Sequence, residues 1–260
     1  MLLAFGEALI ELSGDGDGGT ALLSEVSHFT PRPGGAVLKQ ALAAARQGAR
    51  VRFLTRVGRD AYGGVVRRTL AEAGVEGVVQ EDPQLPTSLQ LVGTDAVAYR
   101  MADAQLETPP ESFFEGGTLL HASAWPFGLD PARTTAVKLF REGIRRGLAL
   151  SLDLNYQPWA FRGDLLEVLR PFLPLSYLKV SEEALNLLDL RPGELFQLAH
   201  TVLYFRDKGL KLINLFGEHA FDAPPKGQED AVYGAFLARI VGGEDPEEAL
   251  KAALAQAAAL

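Results

Sequence analysis

Two glycines ahead of a helical pattern, in Pro33-Gly34-Gly35-Ala36, are the first residues of this chain whose types and spacing bear on chemistry. Glycine at a helix start lets a ligand approach the backbone, and the free N–H groups of the first turn favour an oxygen-rich ligand. The same residues also make an ordinary capping turn. Downstream, a short apolar run leads into Arg56-Val57-Gly58-Arg59-Asp60-Ala61-Tyr62-Gly63 and a second helical pattern. Other chemistries find less support. With no cysteine, thiol catalysis, disulfides and thiolate metal sites are excluded. His28, His121, His200 and His219 lie far apart without zinc-ligand spacing. Asp15-Gly16-Asp17-Gly18-Gly19 lacks the later ligands of a calcium loop and reads as a turn. Ser123 has no G-x-S-x-G context, and no G-x-G-x-x-G follows the first strand. Trp125 and Trp159 follow strand ends, where they either line a ligand site or pack in the core.

The elements that must position such residues alternate. Apolar runs at Leu2–Phe5, Val51–Leu54, Leu119–Ala122, Leu148–Leu152, Tyr177–Val180 and Lys211–Phe216 read as buried strands. Helical spacing covers Val37–Gln47, Tyr62–Ala73, Pro131–Arg146, Asp164–Leu169, Pro192–Lys208, Asp230–Ile240 and Pro246–Ala258. Strand–helix alternation predicts an α/β fold, a mainly parallel sheet covered on both faces, with ligands beyond the carboxyl ends of the strands. Residues 9–30 and 75–101 break the pattern with short β-prone runs, Thr87–Val92 and Val97–Met101 among them, and read as a flap within one domain spanning 1–260. At 260 residues, 47% hydrophobic and 22% charged, the chain is long and apolar enough for a full core. A net charge of −8 argues against nucleic acid and anionic membrane as partners. The N-terminus lacks the basic start of a signal peptide and no apolar run is long enough to span a bilayer, so a cytoplasmic protein is expected.

The run Gly34 to Gly63 resembles the first signature of the PfkB, or ribokinase-like, carbohydrate kinases, G-G-A-x-x-N-x-A, L-G-A and V-G-x-D-x-x-G. Gly34, Gly35, Ala36, Ala41, Gly48, Ala49, Val57, Gly58, Asp60 and Gly63 match in order. Gly6-Glu7 with Glu11 is similar to the family's opening, whose acid binds sugar hydroxyls. Ala73-Gly74-Val75, Thr87 and Asp153-Leu154-Asn155 resemble later family features, and Gly227-Gln228-Glu229-Asp230-Ala231 followed by Gly234-Ala235-Phe236-Leu237 resembles the G-A-G-D turn and its helix.

The resemblance implies a three-layer α/β/α sandwich with a small antiparallel β lid, and flavours closest to fructokinase and 2-keto-3-deoxygluconate kinase. It implies ATP and Mg²⁺ as cofactors, a sugar or sugar acid as the small-molecule partner, and a homodimer through the lid. On that basis Asp230 is the candidate base, and Gly227, Gln228 and Glu229 form the anion hole. Glu11, Gly34, Gly35, Lys39, Arg100, Asp153 and Asn155 are placed at the substrate, Ser181, Gly217 and Lys226 at the nucleotide, and Glu183 at the metal. Arg100 is read either as a partner for a substrate carboxylate or as a solvent-facing lid residue. Lys39, at the family's asparagine, either meets an acidic sugar or pairs with Glu11 or Asp60.

Several motifs depart from the family pattern. The N-x-x-E segment reads Ser181-Glu182-Glu183-Ala184, and T-L-G-x-x-G is matched by Leu215-Phe216-Gly217-Glu218-His219-Ala220. That match leaves few residues before Gly227 for the hairpin that shapes the nucleotide site, and the chain ends at Leu260 ahead of the family's closing loop. Gln157 stands where an arginine is expected. Gln228 and Glu229 replace small residues, and Glu229 adds an anion beside the phosphate position, a repulsion of about 4 kcal/mol at ~4 Å and intermediate dielectric. Two readings follow: an ATP-dependent sugar or sugar-acid kinase, or a homologue that binds a sugar or other ligand in a regulatory role with weakened or no turnover.

Overall fold

The structure is a computed structural model and describes residues 1–14, 22–94 and 96–258; the Asp15–Gly19 turn lies outside them. The chain opens with β1 (Leu2–Phe5), crosses into a separate small sheet with β2 (Leu9–Gly14) and β3 (Phe29–Gly34), and returns through α1 (Ala36–Arg46), β4 (Val51–Gly58), α2 (Ala61–Glu72) and β5 (Glu76–Asp82). A second excursion forms β6 (Leu89–Val92) and β7 (Val97–Tyr99). Then come β8 (Leu119–Ser123), α3 (Ala132–Arg145), β9 (Ala149–Asp153), α4 (Leu165–Leu169), β10 (Leu175–Ser181), α5 (Glu182–Leu187) and α6 (Leu195–Leu198). The chain continues through β11 (Ala199–Arg206), β12 (Gly209–Asn214), β13 (Gly217–Phe221), α7 (Glu229–Val241) and α8 (Pro246–Ala257).

Nine strands make one sheet in the order β13-β12-β11-β10-β9-β8-β1-β4-β5. From β11 to β5 every neighbour is parallel; the β11–β12 and β12–β13 pairs are antiparallel, so β12 alone runs against the rest. β1 shows why the strands are apolar throughout: Leu3 and Phe5 enter the core under α3, Leu2 and Ala4 the core under α1, α7 and α8, and all four are fully buried. A strand sandwiched this way has no polar face to alternate. Phe5, Phe127 and Phe140 lock the α3 side, with Phe140 edge-on to Phe5 at 5.7 Å and to Phe127 at 5.0 Å.

The small sheet has the order β3-β2-β6-β7. Its outer pairs are antiparallel, and the central β2–β6 pair, joining the two excursions, is parallel. Asp60 ties this lid to the body. It caps α2 by accepting the Gly63 N–H at 2.8 Å, and it accepts the Thr87 N–H at 2.7 Å and hydroxyl at 2.8 Å. Thr87 Oγ1 in turn accepts the Gly58 N–H at 3.0 Å. The V-G-x-D-x-x-G run thus performs a joint between body and lid. Partial burial alone would raise the Asp60 carboxyl, but these donors outweigh it and hold it below its usual range.

Three local expectations are corrected. Pro192–Lys208 is not one helix: after a turn and the four-residue α6, Ala199–Arg206 runs as β11 beside β10. Its apolar residues fit a helical stripe in isolation, but in the fold Val202 to Phe205 are buried from both faces. Residues 75–101 are not all lid, because Glu76–Asp82 pairs with β4 as the edge of the large sheet. Leu215 and Phe216 do not end a strand; they form the β12–β13 turn, 87% and 91% exposed.

Candidate active site

The carboxyl ends of β9 and β10, the starts of α1 and α7 and the lid bring several of the sequence-predicted residues together. On the lid side Glu11 lies on β2 against the β3–α1 corner, where Gly35 N–H donates to its Oε1 at 3.2 Å. Side chains at this corner are not tolerated: a Cβ on Gly34 would overlap the Glu11 carboxyl, and one on Gly35, at φ 103°, would sit 2.7 Å from the Glu7 carbonyl oxygen. Lys39, one turn into α1, pairs with Glu11 at 2.7 Å rather than with Asp60, and its side chain remains 40% exposed.

Arg100 belongs elsewhere. Its guanidinium is 4% exposed, pairs with Asp103 at 2.7 Å, donates to the Trp125 carbonyl at 2.8 Å and lies 5.1 Å over the Trp125 ring. It is not solvent-facing, and through Asp103 and the Trp125 carbonyl it fastens the end of the lid to the loop after β8. Trp125 is buried and packs edge-on against Trp159 at 5.8 Å.

Glu7, in the β1–β2 crossing, is buried and accepts the Ser123 hydroxyl at 2.7 Å. Burial pushes its carboxyl up to about 7, against the pull of the Ser123 hydrogen bond. The folded protein therefore holds a proton between pH 4.5 and about 7 that the unfolded chain has released, so stability falls as pH rises through this window. Glu7→Gln removes that dependence. At pH 8 the variant is expected to gain up to about 3 kcal/mol relative to its parent, and little or nothing at pH 4.5. Thermal melts at the two pH values check this; an equal change at both would exclude the assignment.

The centre of the opening is a charge cluster that the sequence reading met only in part. Lys179, at the end of β10, lies 2.9 Å from Asp153 Oδ2 on β9 and 2.6 Å from Asp230 Oδ1 on α7. Gln40 of α1 donates to the same two oxygens, at 2.6 and 2.8 Å. Burial alone would lower the Lys179 ammonium, but the two carboxylates outweigh it and hold it above its usual range. Burial likewise works to raise Asp230, yet Lys179, with Lys39 behind it, keeps it ionised and below the ordinary carboxylate range. Asp153, the deeper acid, is pushed up by burial. Asn155 follows half-buried just past the end of β9.

Beyond Asp230 opens a cleft of about 640 Å³ between β10, β11 and the start of α7. Ser181, Glu183, Lys226 and Glu229 line it, as do Arg206 and Asp207, which the sequence reading did not single out. Ser181 caps α5 by accepting the Ala184 N–H at 3.1 Å. Glu229 turns back on its own turn, its carboxylate accepting the Gly227 N–H at 3.4 Å. Gly217 is corrected: it faces Asn214 at the start of β13, and Asn214 is level with Thr201, near the amino end of the parallel strands. The loop beside Ser181 is instead Phe205–Asp207. No strand forms between Phe221 and Gly227, as the short spacing implied, and the hairpin β12–β13 lies ahead of that segment.

Gln40, His121 and Lys179 escaped the sequence reading. Gln40 is the residue after Lys39, His121 was weighed only as a zinc ligand, and Lys179 sits two positions before Ser181 inside an apolar strand. The last offered a signal, since a lysine in a buried strand needs an anionic partner.

A family model described as pfkB family carbohydrate kinase matches residues 1–187. The chain is 30% identical to a fructokinase of Klebsiella pneumoniae over 69% of its own length and 60% of that enzyme's. The chain thus spans about three fifths of that relative. It is 27% identical to a 2-dehydro-3-deoxygluconokinase of Thermoproteus tenax over 99% of this chain and 87% of that one. Among solved structures, a sugar kinase of Pyrococcus horikoshii in complex with ATP superposes with a TM-score of 0.84 at 21% identity, covering 99% of this chain and 91% of the other.

Proposed function

Because the chain belongs to the pfkB family of carbohydrate kinases, we propose that it transfers the γ-phosphoryl group of ATP to a hydroxyl of a small sugar or sugar acid. One observation carries this reading: the Asp230 carboxylate stands between the Glu11–Lys39–Asp153 side and the cleft lined by Ser181, Arg206 and Lys226. A hydroxyl held on the first side and a phosphate in the second meet at Asp230. Lys179 and Gln40 both engage Oδ1, and Oδ2 takes the hydroxyl proton as the new O–P bond forms and the bond to the leaving ADP breaks. Glu11 and Lys39 orient the acceptor, together with Asp153 and Asn155. The Glu229 amide, with Arg206 and Lys226, holds the phosphoryl oxygens, since the Gly227 N–H already donates to the Glu229 carboxylate and the Gln228 N–H to the Pro225 carbonyl.

Among the described residues no three acids or histidines are grouped to hold a metal alone. Mg²⁺ does not require such a cage, since it binds through one or two carboxylates plus substrate phosphates. Glu183 is the proposed carboxylate, and the ion would neutralise phosphate charge there. The relatives' printed activities, on fructose and on a keto-deoxy sugar acid, bracket the acceptor class. Lys39, exposed beside Glu11, is the cation proposed to meet a sugar acid. A cytoplasmic location, where ATP is available, is part of the proposal. A homodimer would form through the β7 edge of the lid, because the opposite edge, β3, carries Pro31 and Pro33, which cannot donate to a ladder.

Titration of ADP and ATP by calorimetry, with and without Mg²⁺, tests the reading. Saturable binding below millimolar concentration is expected, and no binding at millimolar nucleotide would overturn it. The second reading, a sugar-binding regulatory homologue, is favoured by the Glu229 carboxylate on the Gly227 amide. Sugar binding without nucleotide binding would establish that reading instead.

A further inference from the structure

Behind Asp230, Gln40 continues into a buried polar chain of three residues that the reaction above does not use. Gln40, His121, Ser151 and Tyr233 are all fully buried. Gln40 Oε1 is 2.6 Å from His121 Nε2, His121 Nδ1 is 2.9 Å from Ser151 Oγ, and Ser151 Oγ is 2.9 Å from the Tyr233 hydroxyl. The direction of every bond follows from the carboxylate end. Ionised carboxylates only accept, so the Gln40 atom between Asp153 and Asp230 is the amide nitrogen and its oxygen faces His121. His121 Nε2 must then carry hydrogen. Burial and the Lys179 charge push the ring down to about 3, so it is neutral and Nδ1 is an acceptor. Ser151 donates to Nδ1, and Tyr233 donates to Ser151. No member is left without a partner, which in a dry interior makes the arrangement single-valued. Gly234 permits it: a side chain there would overlap the Gln40 carbonyl oxygen, so α7 could not approach α1 closely enough for Gln40 to reach Asp230.

We propose that Gln40 is a positioning residue for Asp230, and that Tyr233, Ser151 and His121 form a one-way hydrogen-bond chain that keeps its N–H, not its oxygen, toward the two carboxylates. A reversed amide would set a lone-pair oxygen against two anions in a buried site. The consequence for turnover rests on reading Asp230 as the base; the consequence for the carboxylate does not. Asp230 also faces Lys179 from β10 and Lys39 from α1, and Asp153 on β9 interacts with it; none of these is altered by the variants below.

Carbon-13 NMR titration of the Asp230 carboxyl in Gln40→Met and His121→Phe tests the two halves of the proposal. Gln40→Met removes a donor to the ionised form, so Asp230 should titrate about one pH unit higher, with kcat down about tenfold and KM for ATP unchanged. His121→Phe touches neither carboxylate, yet should move the same titration in the same direction by a smaller amount. An unmoved Asp230 titration in Gln40→Met overturns the positioning role, and a shift there with none in His121→Phe overturns the chain behind it. If a variant fails to fold, nitrogen-15 NMR of His121 in the unaltered protein decides. The neutral Nε2–H tautomer is expected throughout pH 5–9, and an Nδ1–H ring or a titration in that range refutes the chain. Shifted carboxyls in a protein without kinase activity would sink the kinase reading alone.

Discussion

Asp230→Asn is expected to lower kcat about 10³-fold while leaving ADP affinity within about twofold. The substitution keeps shape: an asparagine oxygen can still accept from Gln40 and Lys179, the two donors now on Oδ1. What it removes is the acceptor at Oδ2 and the negative charge. Loss of a proton acceptor made only for the transition state lowers kcat and kcat/KM together and leaves ground-state binding alone. Lys179 keeps its pair with Asp153, so no buried cation is stranded and the fold should melt within a few degrees of its parent. Steady-state kinetics beside nucleotide calorimetry reads both halves. Unchanged turnover would remove Asp230 from the mechanism, and lost nucleotide binding would make it a binding residue instead.

Lys179→Met is expected to cost about 3–5 kcal/mol of stability at pH 8, a drop of roughly 10 °C in melting temperature for a chain of this size. Lys179 is the cation shared by Asp153 and Asp230, and methionine keeps the stem and loses the charge. Two carboxylates joined through one Gln40 amide then face each other in a buried site, and one must take up a proton. Its folded-state pKa rises above the unfolded value, so the variant's deficit is smallest at low pH and grows as pH rises through the new pKa. Melting curves from pH 5 to pH 8 should diverge from the parent toward the alkaline end. A deficit independent of pH would show that Lys179 matters only for packing, for instance against the Phe205 ring 5.8 Å away.

Elements whose neighbours are all apolar announced themselves in the sequence. Leu2–Phe5 can only be a strand buried on both faces, and β8, α1 and α3 fell within a residue or two of their expected ends. β5 did not, because Glu76-Gly77-Val78-Val79-Gln80-Glu81-Asp82 is half polar and becomes a strand only where β4 offers it an open edge. β11 was hidden by periodicity: its apolar residues suit either a helix or a strand, and pairing with β10 decides. Gly217 was misplaced for a related reason, since one sequence cannot show which end of a sheet a hairpin turn occupies. At the site, Glu11, the Gly34–Gly35 corner, Asp153 and Asp230 were legible as motif positions. Gln40 and Lys179 were not, because their meaning lies in the oxygens they face, and those arrive from β9 and α7.

The bond from Gln40 to Asp230 joins residues 190 positions apart. A chain emerging from the ribosome at about 5–20 residues per second therefore carries its lid strands, Glu11, Asp153 and Lys179 before Asp230, the proposed base, is made. Until α7 emerges, Lys179 holds one acid instead of two and the face of α1 that α7 covers is bare. On the proposed reading, Glu11, Lys39 and Asp153 are therefore all made before the residue proposed for the chemistry. A product ending before residue 229 would lack the proposed base and the α7 cover of α1 together.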